Sequence, residues 1–209
     1  MTPRPLLPPL LLVLALLWPV PAPAEPLGGT IDQRSRQQVT ALFAAARSSL
    51  ATGDGAGALA LASRASLSRL ETIRNAARMG SAAPLTGFSP SEKLGVLGLR
   101  RHFTAADLRR LRTPELVNRL LASHWMKPET VRGAELGPLV LAGSRASAPV
   151  LIGGQPSLAH AEFVREGGQW RFDLTRTTAT ADTLLRVLIS LSGQSEEVYL
   201  GHLLDHLRR

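Results

Sequence analysis

Four residues near the end of the chain could do acid–base chemistry. His160, Glu162, Arg171 and Asp173 sit on the polar face of two segments that read as adjacent strands. Cross-strand pairing brings such residues together. A carboxylate beside an imidazole can take and return a proton, so His160, Glu162 and Asp173 are the catalytic candidates. The competing reading is a solvent-facing sheet surface with ordinary ion pairs, because strict alternation alone puts polar residues there. A second constellation is His202-Leu203-Leu204-Asp205-His206. Histidines at i and i+4 share one helix face and match the first two ligands of a zinc helix. Leu203 stands where the general-base Glu would follow, and no third ligand is evident. Surface histidines near a helix C-terminus are the alternative. A third set is Arg100, Arg101, Arg109, Arg110, Arg112 and Arg119. Guanidinium groups on neighbouring helices suit a phosphate headgroup or another acidic partner, and solvated helix faces explain the same spacing.

Several chemistries are excluded outright. The 209 residues include no cysteine, which removes disulfides, thiolate metal sites and cysteine nucleophiles. There is no G-x-S-x-G elbow, no phosphate-binding glycine loop and no dinucleotide fingerprint. Gly53, Gly55 and Gly57 have the wrong spacing and follow a helix. The sequence calls for no cofactor. Net charge is +8, yet all but two of the 24 basic residues are arginine, and no block of like charge occurs. With one tyrosine in the chain, a stacking surface for single-stranded nucleic acid is not expected, so nucleic acid is not an expected partner.

Elements must position these candidates. Residues 1–24 resemble a secretory signal peptide: Arg4 as the basic start, an apolar run from Leu6 to Trp18, and Ala22-Pro23-Ala24 as the cleavage motif. The run is shorter than the roughly 20 residues that span a bilayer. The expectation is therefore cleavage after Ala24 and an exported, periplasmic or secreted chain with no transmembrane segment; a retained anchor is the alternative. Residues 25–37 read as a flexible lead-in and 38–209 as one α+β domain, helical over 38–127, sheet over 138–175, and helical again over 181–208.

Within that domain, Val39, Leu42, Phe43, Ala46 and Leu50 recur at helical spacing. Gly53 stops that helix and Asp54 caps the next, which could run on from Leu59 to Met79. Ser89-Pro90-Ser91-Glu92 is a capping box. Thr104 to Asp107 and Thr113-Pro114-Glu115 start two more helices, the last carrying Leu116, Leu120 and Trp125. From Leu139 the period changes to two. Pro149 implies an edge or bulge. Glu166-Gly167-Gly168 joins the two clearest strands, Ser157 to Arg165 and Gln169 to Thr175. Their apolar face carries Ala161, Phe163, Trp170 and Phe172. Leucine stripes over Leu184 to Leu191 and Val198 to Leu207 give the closing helices.

Leu50-Ala51-Thr52-Gly53-Asp54 leading into an Ala-rich helix, and the hairpin from Ala161 to Leu174, resemble the NTF2-like (cystatin-like α+β) superfamily. The resemblance covers residues 36–175. It implies a cone, N-terminal helices packed on a strongly curved antiparallel sheet, here with an additional C-terminal helix. Such cones often hold a small molecule, and their outer sheet face often dimerises. The implied role is a non-catalytic binding or interaction module. Phe163, Trp170 and Phe172 would line its pocket, Arg100 and Arg101 would serve an acidic group, and the partner would be a small apolar ligand, another protein or a second copy. The alternatives are an isomerase, dehydratase or hydrolase of the superfamily, or a periplasmic lipid carrier.

Overall fold

A computed structural model describes residues 30–80, 85–123 and 128–206. The segment read as a signal peptide, and Trp125 and Leu207, lie outside the described residues. Helix α1 (Thr30–Ala51) is the longest element. It starts inside the stretch read as a flexible lead-in, and its Ser35 is already buried. Gly53 (φ 77°) ends it, and Asp54 accepts from Gly57 N–H to open α2 (Gly55–Ala60). No continuous helix follows to Met79. Ala62 pairs with Phe172, and Ser63 caps a separate α3 (Arg64–Arg78) by accepting from the Ser66 amide. Serine at that position satisfies an otherwise orphaned N–H.

Three further helices complete a helical layer. In α4 (Pro90–His102) the Ser89/Glu92 box is formed in both directions. In α5 (Ala105–Arg110) Thr104 accepts from Asp107 N–H. In α6 (Thr113–Ala122) the Arg112 amide donates to Glu115. With α3 they enclose one apolar core of Ala77, Val96, Phe103, Leu108, Leu111 and Leu116. A short α7 (Pro128–Arg132) leads to the sheet.

The sheet is antiparallel and five-stranded: β1 (Ala134–Leu136), β2 (Val140–Ala142), β3 (Arg145–Ile152), β4 (Gln155–Glu166) and β5 (Gln169–Phe172). β1 and β2 pair with the two halves of β3, which continues through β4 to β5. β1 is too short to stand out in the sequence. The β3–β4 register shifts between Pro149 and Leu151, where proline cannot donate to the ladder, and the sheet curls into a half-barrel. Ala146 faces Phe163, and Phe163 faces Phe172. Against this apolar face lies α1 through Val39 and Leu42, forming the second core with Trp170. Burying Phe163 alone contributes about 1.5–3 kcal/mol.

The chain turns helical earlier than its alternation suggests. Asp173 ends the β5 pattern as the N-cap of α8 (Leu174–Ser192), accepting from Arg176 N–H. The strand therefore stops at Phe172 rather than Thr175. α8 then packs along β4, where the Glu162 amide donates to Thr177 Oγ1. Gly193 (φ 65°) closes α8 before α9 (Glu196–His206). The molecule is α+β, and no helix among the described residues is long and apolar enough to cross a membrane.

Candidate functional site

The hairpin candidates share the face that α8 partly covers. Glu162 is set beside Ser147 on β3, and His160 beside Pro149 at the bulge. Burial pushes the Glu162 carboxyl above the ordinary carboxylate range. His160 and Arg145 pull it back, and Asp173 adds to the rise. Arg176 on α8 lies 3.6 Å from the same carboxylate. His160 and Asp173 are thus each within electrostatic reach of Glu162.

Their hydrogen bonds serve the fold. The Asp173 carboxylate accepts from Thr175 Oγ1 at 2.5 Å and from the Arg176 amide at 3.3 Å. Arg171 donates to the Ala60 carbonyl at 2.7 Å and to the Gln169 side chain, which ties β5 to the end of α2. Capping a helix occupies the Asp173 carboxylate, and anchoring Ala60 occupies the Arg171 guanidinium.

Phe163 and Trp170 are 1% and 6% exposed in the core between the sheet and α1. Phe172 packs there too, with its ring centroid 4.7 Å from that of Phe163 and 6.2 Å from that of Phe43. The Trp170 indole Nε1 is buried with no hydrogen-bond partner among the described residues. The face of the sheet that carries Phe163 and Trp170 is therefore packed with side chains of α1.

The openings lie among the helices. A cavity of about 60 Å³ sits where α3, α4 and α8 meet, lined by Ser66, Arg69, Ser91, Glu92 and Thr178. Arg69 holds Glu92 through two hydrogen bonds, and that pairing keeps the Glu92 carboxyl below its usual range despite partial burial. A larger, half-open cavity of about 650 Å³ is bordered by α4, α9 and Leu85. Leu85, Leu97 and Leu200 form its apolar wall, and Lys93, Arg100 and Glu196 supply its charge. Sequence periodicity placed Leu97 and Leu200 on helix stripes but gave no signal that both border one cavity.

The arginine set divides by partner. Arg101 pairs with Asp205, Arg112 with Glu115, and Arg110 and Arg119 with Asp107, while Arg109 is exposed. Arg100 is different: it is half-buried and donates to the Ala76 carbonyl at 3.0 Å. His202 is exposed on α9; His206 is that helix's last residue, and its side chain lies outside the described set. No group of three or more potential metal ligands occurs among the described residues. No protein-family model, curated protein or solved structure matches the chain.

Proposed function

We propose that the chain is an exported, non-catalytic binding module of the NTF2-like type, whose binding surface lies on its helical side rather than inside its cone. The observation that carries this reading is α1, whose Val39 is fully buried against the concave face that Phe163 and Trp170 line. A cone closed by its own helix has no room there for a ligand. Support also comes from Asp173 and Arg171, whose polar groups cap α8 and anchor Ala60. The cavity between α4 and α9 falls within the range of small-molecule sites, about 300–1,000 Å³.

An acid–base enzyme is the second reading, and the raised Glu162 carboxyl beside His160 favours it. The two are separated by purifying the chain from the compartment to which it is exported and comparing native with denaturing mass spectra. The binding reading expects an N-terminus at Glu25 and a stoichiometric adduct, or a retained protein partner, that is lost on denaturation. An empty chain with no partner after cross-linking in the exporting cell contradicts it.

A further inference from the structure

Ion pairs join α4 and α9 at both ends of the groove between them. Lys93 Nζ meets Glu196 at 2.8 Å near both helix N-termini, and Arg101 meets Asp205 near both C-termini. The two helices therefore run parallel. Between these clasps lies the half-open cavity of about 650 Å³. Its floor is Leu200, 1% exposed, with Leu97 and Leu85 beside it.

Charge along the groove is uneven. At one end Lys93 and Glu196 neutralise each other. Arg100 lies seven residues further along α4, about 10 Å down the helix axis. Its Nη2 is engaged by the Ala76 carbonyl, its Nε is buried without a partner, and it forms no ion pair with a carboxylate among the described residues. Burial depresses its pKa, though a guanidinium stays charged. A half-buried cation lacking a counter-ion is unfavourable, and a bound anion relieves it. Glu197, which also lines the cavity, is exposed and its charge is screened by solvent.

We infer that this groove binds a carboxylate-headed amphiphile, its head on Arg100 and its apolar body over Leu85, Leu97 and Leu200. A free small anion would leave Leu85 and Leu97 wet, and a neutral apolar molecule would leave Arg100 uncompensated. The inference rests on the binding-module reading and names the ligand class for it.

The test is titration of the full chain with decanoate, decanol and acetate, read by native mass spectrometry and thermal unfolding. Decanoate is expected to bind one-to-one and saturably, with decanol and acetate each at least about tenfold weaker. Arg100→Gln weakens decanoate roughly 10- to 100-fold, as expected for losing a charge-assisted hydrogen bond. Leu97→Trp fills the groove with Arg100 in place and removes binding as well, which keeps the test valid should the Arg100 variant fold poorly. Decanoate binding that is unsaturable, matched by decanol, or unchanged in both variants overturns the inference. If decanoate fails while the chain carries a co-purified species of other chemistry, the amphiphile assignment falls and the binding module stands; an empty chain overturns both.

Discussion

The Ser66 hydroxyl accepts the Leu174 amide at 2.8 Å, across 108 positions of sequence. That bond joins the first turn of α3 to the first turn of α8. It belongs to a small knot: Ser63 and Ser66 hydroxyls lie 2.7 Å apart, the Ser63 amide donates to the Phe172 carbonyl, and both serines are 1% exposed. Ser66→Ala strands the part-buried N–H of Leu174. The expected loss is about 1–3 kcal/mol, visible as a lower urea midpoint with an unchanged slope. A midpoint equal to that of the wild type would mean the knot contributes nothing.

Glu92→Gln keeps a side chain that can complete the capping box but loses the ionic bond to Arg69. Because the folded carboxyl titrates below its unfolded value, its stabilisation is present at neutral pH and fades as pH falls through the folded value. The variant should be less stable by about 1–2 kcal/mol near neutrality, discounted for the partial exposure of Arg69. The two proteins should converge in acid. A constant gap across the acid limb of a pH–stability curve would rule out ionisation as the cause.

Glu162 has the opposite sign. Its folded carboxyl titrates above the unfolded value, so the folded state holds the proton longer and stability falls as pH rises between the two values. The groups facing it are His160 on β4, Arg145 on β3, and Asp173 and Arg176 at the start of α8. Glu162→Gln should flatten that limb and raise neutral-pH stability by up to about 1 kcal/mol. Loss of stability on this substitution would show that Arg176 outweighs burial.

Local signals were readable from the sequence and distant ones were not. Asp54, Ser89 with Glu92, and the paired glycines Gly167 and Gly168 (φ 56° and 82°) act within four residues of themselves, and Pro149 marks the bulge by its own chemistry. Asp173 misleads because Trp170 to Leu174 alternates like a strand; only the cap bond to Arg176 ends it. Ser63 is masked in an Ala/Ser-rich run, and its role depends on Phe172, distant in sequence. The candidate site follows the same division. The shared polar face of His160 and Glu162 follows from period two, whereas the packing of α1 over Phe163 and the buried, unpartnered Nε of Arg100 are set by tertiary contacts.

Backbone hydrogen exchange with and without decanoate tests the central claim most directly, because it reports separately on the sheet with α1 and on the helical side. The account predicts slower exchange in α4 and α9, with α1 and β3 to β5 unchanged. Slowing confined to α1 and the sheet, or no slowing anywhere, would contradict it.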